Sequence, residues 1–252
     1  MIKLVIKNSF LIFFAVLAFS ACELFRIDNY GAPNAELCGR FLDAVTGELV
    51  ESDVQNGNAL RLQEKGYIPG VLTRTVMQSG EYCDKLMFAG TYSISFINCN
   101  FYTHEIDEIV VNRGKNTRDF QVTPYIRVRN VNIRRDGNDI VATFTLQAGN
   151  PEVRLSNIRL FAHDDMYVGD QVTYGLVGGT DRQTFDPAIV IDDTYEHTLR
   201  IDLTLQGNRD ILKYSGKEYY FRVGAIAASG GGVVGTVRRN YAPYVKIPVV
   251  LP

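Results

Sequence analysis

The chain has 252 residues, with 26 basic side chains against 28 acidic ones and a net charge of −2. That balance supplies no basic field for a polyanion, which argues against a nucleic-acid partner. The length allows one large domain or two ordinary ones, and its aromatic content is 14 Tyr and 14 Phe with no Trp.

The chain opens on Met1-Ile2-Lys3-Leu4-Val5-Ile6-Lys7, a short basic head. An apolar run of ten residues, Phe10 to Phe19, follows, and Ser20-Ala21-Cys22 closes the segment. A positive head, a short apolar middle and small residues before a cut form a secretory signal. The run is about half the ~20 residues that a helix needs to cross a bilayer, so no span is expected to remain. Phe19-Ser20-Ala21-Cys22 resembles the lipobox of bacterial lipoproteins. The resemblance implies cleavage of residues 1–21, acylation of Cys22 and a lipidated tether over 22–32. Several acyl chains on one cysteine make a durable membrane anchor. Glu23, standing where aspartate would signal inner-membrane retention, points to the outer membrane. Cleavage removes Lys3 and Lys7 and leaves 231 residues with a net charge of −4. No second long apolar run follows.

Beyond the tether, no window of a dozen residues carries an i, i+3, i+4, i+7 apolar stripe free of Gly, Pro or Asn. Alternation with period two takes its place. Tyr92, Ile94 and Phe96 share one side of a run, as do Ile126 and Val128, and Ile140, Ala142, Phe144 and Leu146. Leu199, Ile201, Leu203 and Leu205 repeat the pattern, and so do Tyr219, Phe221, Val223 and Ala225. Asp136-Gly137-Asn138-Asp139 between two such runs reads as a tight hairpin turn. Short strands at this spacing predict an all-β chain of two β-sandwich domains in tandem. The first covers 33–123 and the second 124–252, with Pro124 at the joint.

With Cys22 assigned to lipid, Cys38, Cys83 and Cys99 remain, and three thiols cannot all pair within one chain. Two readings stand. One is a single disulfide in an oxidising compartment, with Cys83–Cys99 as the better pairing. The other, which we prefer on sequence, is three small buried apolar side chains. Their spacing matches no zinc site.

Cys38-Gly39-Arg40-Phe41-Leu42-Asp43-Ala44-Val45-Thr46-Gly47-Glu48-Leu49-Val50 resembles the opening of carboxypeptidase-regulatory or transthyretin-like modules. In those modules an Asp and a Thr-Gly close a turn between strands. Phe88-Ala89-Gly90-Thr91-Tyr92-Ser93-Ile94 is similar to their later Pro-Gly-x-Tyr-x-Leu strand. The likeness gives structural roles to Gly39, Asp43, Gly47 and Gly90. Leu212 to Ala225 resembles the entry into strand F of fibronectin type III or immunoglobulin-like domains. Tyr219 would then be the corner tyrosine, buried with Phe221, Val223 and Ala225, its hydroxyl bonded to backbone in the preceding turn. Tyr220 and Arg222 would point the other way. The order of lipobox, regulatory-like module and sandwich resembles a family of surface lipoproteins encoded beside starch-utilisation-type glycan importers in Gram-negative gut bacteria. That resemblance implies a cell-surface location, a glycan ligand and importer components as partners, and it supplies no site residues.

Catalytic patterns are sparse. The histidines are His104, His163 and His197, and His104-Glu105 has no second histidine four residues on, as a zinc protease would require. Gly230-Gly231-Gly232-Val233-Val234-Gly235 satisfies G-x-G-x-x-G, but no helix follows to face a phosphate, so it reads as a loop between strands. No cofactor is expected. Asp164, Asp165 and Asp170 could offer oxygens to calcium, though turn aspartates are more often solvated, and no metal is assigned. Sugar binding favours aromatic faces beside polar groups. Tyr67, Tyr102, Tyr167, Tyr174, Tyr241 and Tyr244 lie off the alternating runs or in loops and are the candidate ligand residues, with packing as the alternative for each. The leading expectation is a non-catalytic accessory lipoprotein that binds glycan or an importer partner. A fimbrial subunit that assembles by strand donation and a glycoside hydrolase are the alternatives.

Overall fold

Period-two alternation becomes strand throughout the computed structural model, which describes residues 31–252 other than 67–69, 105 and 234. The expected signal, Cys22, most of the tether and Tyr67 lie outside the described residues. The first half contains β1 (Ala35–Asp43), β2 (Ala59–Glu64), β3 (Leu72–Thr75), β4 (Glu81–Met87), β5 (Gly90–Ile97), β6 (Phe101–Tyr102), β7 (Ile106–Val111), β8 (Gly114–Thr117) and β9 (Phe120–Pro124). One sheet has the order β4-β1-β9-β6, with β8 also on β1, and the facing sheet has the order β3-β2-β5-β7. β1 is antiparallel to β4 and parallel to both β8 and β9. Alternation on β1 turns Ala35, Leu37 and Phe41 inward. Phe41 is the hub of this core, its ring 5.3–5.9 Å from those of Tyr82, Phe96, Phe101 and Phe120.

The second half contains β10 (Ile126–Asp136), β11 (Asp139–Ala148), β12 (Arg154–His163), β13 (Arg182–Val190), β14 (Glu196–Asp202), β15 (Glu218–Ala227), β16 (Asn240–Tyr241) and β17 (Val245–Pro248). Its sheets are β10-β11-β14 and β13-β12-β15-β16, with β17 also on β15. Tyr125, Phe144, Leu160, Tyr219 and Phe221 belong to its core, which is distinct from the core around Phe41. The molecule is therefore two β-sandwich domains in tandem, and Ala35–Pro252 forms one compact unit. One short helix, Gln206–Ile211, is absent from the sequence reading. Its six residues are too few to show a 3.6 period, and it is fixed by tertiary bonds: buried Asn208 accepts from Val177 N at 2.8 Å and donates to Asp202 O at 2.8 Å.

Both cysteine readings need correction. Cys83 is bonded to Cys38, not to Cys99, and Cys99 is a buried free thiol. The cause is register: antiparallel pairing of β1 with β4 sets Cys38 directly opposite Cys83. Burial pushes the Cys99 thiol up to about 12, so little of the reactive thiolate forms near neutral pH.

Tyr219 is buried, and its hydroxyl accepts a hydrogen bond from Tyr214 N at 3.4 Å. The bond is long, and exposed Tyr214 can return its N–H to water. Tyr219→Phe should therefore cost only about 0.5–1 kcal/mol, and Tyr220→Phe less than about 0.5 kcal/mol. Urea titration of the two variants checks this, and a larger loss at Tyr220 would contradict the assignment of faces.

Candidate functional site

β15 has two faces of different character. Tyr219, Phe221, Val223 and Ala225 enter the second core, and Arg222 points the other way, yet it is 0% exposed. The first sandwich covers it. Arg222 Nη2 donates to Glu51 Oε2 at 2.6 Å and Nη1 to Ser52 O at 3.0 Å. Its Nε donates to Ala242 O at 2.9 Å, and its guanidinium lies 4.0 Å from the centre of the Tyr241 ring. Burial lowers the Arg222 pKa, and burial likewise pushes the Glu51 carboxyl up, with Arg222 pulling it only partly back.

A second charged pair crosses the same joint. Arg127 on β10 grips Asp43, at the end of β1, through a two-bond fork: Nε to Oδ2 at 2.5 Å and Nη2 to Oδ1 at 2.8 Å. Asp43 also accepts from Val45 N and Thr46 Oγ1, closing the turn in which Gly47 takes φ +73°. Three asparagines complete the seam. Asn100 donates to Glu51 O at 2.7 Å and Arg239 O at 3.0 Å, Asn58 donates to Asn100 Oδ1, and Asn240 donates to Asn100 O. The joint is thus a built, hydrogen-bonded interface.

Burial alone would raise the Asp43 carboxyl, but Arg127, Val45 N–H and Thr46 outweigh it and hold the carboxyl below its ordinary value. A carboxyl held low in the folded state stabilises the fold above its unfolded pKa, and that stabilisation is lost as pH falls through the folded value. Asp43→Asn should therefore flatten the acid limb of stability against pH below about pH 4. Chemical denaturation repeated across pH 2–7 would show it, and an unchanged limb would remove Asp43 from the account.

Beside this seam lies a cleft of about 570 Å³. The first sandwich contributes the Asp43 turn and Glu48 to Glu51, and the second contributes residues 126–131 of β10 with 240–243. A smaller concavity of about 270 Å³ lies over Arg61, Gln63, Ser93 and Ser95 on β2 and β5.

The structure separates the candidate tyrosines. Tyr241 is buried, donating its hydroxyl to Asp53 Oδ2 at 2.9 Å. Tyr102 packs edge-on against Tyr125 and donates to Gly231 O. Tyr174 lies 4.6 Å from the His163 ring, and burial together with Asp164 raises its hydroxyl to about 12. Packing therefore takes these three. Tyr167 and Tyr244 are exposed, the latter with its ring edge-on to Tyr220. Gly39 sits where a Cβ would fall 1.8 Å from Arg118 O, and Gly90 opens β5. The aspartates weighed for calcium are otherwise engaged: Asp164 with Lys217, Asp165 with Tyr167 N, Asp170 with Arg239. No metal-holding cluster of His, Cys, Asp and Glu occurs among the described residues. Sequence reasoning missed Glu51, Arg127 and Arg222, because a charge in a loop, as at Glu51, or on the outer face of a strand, as at Arg127 and Arg222, reads as solvated until a second domain covers it.

Comparisons with known proteins agree with this architecture. Residues 35–123 match the model of the N-terminal domain of a protein family of unknown function, DUF3823, and residues 126–237 match that of the DUF3823 C-terminal domain. A crystal structure from Bacteroides uniformis, provisionally described as a carbohydrate binding protein, is 48% identical with a TM-score of 0.81, covering 86% of this chain and 100% of that one. A DUF3823 protein from Parabacteroides merdae is 24% identical with a TM-score of 0.67, covering 86% and 100%. One from Bacteroides ovatus is 22% identical with a TM-score of 0.67, covering 85% and 99%. Comparison with curated proteins returned no match. The chain belongs to the two-domain DUF3823 family.

Proposed function

We propose that this protein is a non-catalytic, lipid-anchored outer-membrane lipoprotein that binds carbohydrate at the cell surface as an accessory to a glycan importer. The observation that carries the reading is the 48% identity, over 86% of this chain, to the Bacteroides uniformis protein described provisionally as carbohydrate binding. The cleft between the two hydrogen-bonded sandwiches, lined by charged, amide and aliphatic groups together, supports it, since ligand sites favour domain interfaces. We read the first sandwich as carboxypeptidase-regulatory-like, from the Asp43–Gly47 turn, and the second as fibronectin type III-like, from Tyr219 and its bond to Tyr214 N. Affinity-gel electrophoresis of the protein against a panel of immobilised polysaccharides is the direct test. Retardation by at least one of them is expected, and uniform mobility across the panel would sink the reading. Anchoring is tested separately: the wild type should incorporate labelled fatty acid and partition into detergent, and Cys22→Ala should do neither. Equal labelling would remove the anchor.

A further inference from the structure

We infer that the ligand seat is the cleft between the two sandwiches, and that it selects an uncharged, hydroxyl-rich sugar by hydrogen bonding and not by stacking on tyrosine. The inference rests on the carbohydrate-binding reading and assigns it a place and a chemistry. Size comes first. At about 570 Å³ the cleft lies within the range of ligand pockets, roughly 300–1,000 Å³. Its floor is held by groups that cannot move cheaply, the Asp43–Arg127 fork and the Glu51–Arg222 pair. A preformed floor spares a weak ligand the ordering cost of binding.

The unused hydrogen-bonding capacity lies above that floor and comes from both sandwiches. Glu48 is exposed, and its carboxylate makes no hydrogen bond or ion pair among the described residues. Glu51 engages Arg222 through Oε2 alone. From the other side, Arg129 uses only Nη1, on Gln147, and Asn130 uses only Nδ2, on Thr145. Carboxylate acceptors from the first sandwich and a guanidinium and an amide from the second therefore line one cleft, a set suited to hydroxyls that both donate and accept. Exposed Leu49 and Pro243 offer aliphatic surface to the C–H face of a ring.

Charge bookkeeping sets the class. Asp43 cancels Arg127, and Glu51 cancels Arg222 behind it. Glu48 and Arg129 then remain, one of each sign. The lining thus holds three carboxylates against two guanidiniums, with Arg222 behind Glu51, and offers no excess positive charge to attract a uronate or a sulfated sugar. Aromatic stacking has little part, because the Tyr241 ring is buried and its hydroxyl is taken by Asp53.

The test is calorimetric titration of the full chain in detergent with neutral gluco-, manno- and xylo-oligosaccharides and with uronate-containing ones. Wild type should bind at least one neutral oligosaccharide. Glu48→Ala and Arg129→Ala should each weaken it about tenfold, the loss of one charged hydrogen bond, with melting temperature unchanged. Glu48→Gln should recover part of the loss, and Tyr167→Ala and Tyr244→Ala should stay within about twofold of wild type. Wild-type binding that neither cleft variant weakens would overturn the seat while leaving the carbohydrate reading intact. Loss of binding in Tyr167→Ala or Tyr244→Ala instead would move the seat to that tyrosine. Tighter binding of uronates would overturn the uncharged class. Wild type that binds no sugar in either set would overturn the carbohydrate reading and this inference with it.

Discussion

Arg222→Ala should cost about 3–5 kcal/mol of folding stability, the range for breaking one side of a buried ion pair. Arg222 is fully buried, so solvent does not screen the loss. Truncation strips the partner from Glu51 and leaves the carbonyls of Ser52, Val168 and Ala242 without their donor. It also opens a void over Tyr241, which the guanidinium covers. Arg222→Lys should recover little, since one ammonium cannot reach groups that a planar fork spans. The double change Arg222→Met with Glu51→Gln should cost less than Arg222→Ala alone, because no carboxylate is then left stranded. Urea titration of the four proteins checks this, and a loss under about 1 kcal/mol for Arg222→Ala would mean the joint is hydrated and adds little.

The disulfide should have the next largest effect. Cys38 and Cys83 are 45 residues apart, and closing a loop of that size in the unfolded chain contributes about 2–4 kcal/mol. Cys38→Ser with Cys83→Ser, or reduction under denaturant, should lower the unfolding midpoint accordingly. Cys99→Ser should leave the response to reductant intact, since Cys99 takes no part in the bond. A midpoint indifferent to reductant in the wild type would mean the cysteines are not bridged in solution.

Much of the fold was legible because the strands are amphipathic. Ile140, Ala142, Phe144 and Leu146 are all buried on β11, and the turn at Gly137 and Asn138 joins β10 to β11. Alternation also placed Arg222 on the face opposite Tyr219. What alternation cannot report is whether that outer face meets water or another domain. The partners of Arg222 and Arg127 are 171 and 84 residues away, so no local pattern foreshadows either pair. The Cys38–Cys83 bond was hidden for the same reason, since sheet register and not sequence spacing sets two strands side by side. Of the candidate tyrosines, Tyr102, Tyr174 and Tyr241 lie off the long alternating runs yet are drawn into packing by residues from distant elements. The cleft had no sequence signature, because its two walls come from chain segments that meet only in the folded molecule.

β1 carries one consequence of its own. It runs the length of the first sandwich, from Ala35, beside Met87 and Gly114, to Asp43 at the joint. Nine residues at about 3.3 Å each set those ends roughly 26 Å apart. One strand therefore carries the chain from the far end of the first sandwich to the Asp43–Arg127 fork, so a one-residue register slip in β1 would turn Asp43 away from Arg127 and open the joint.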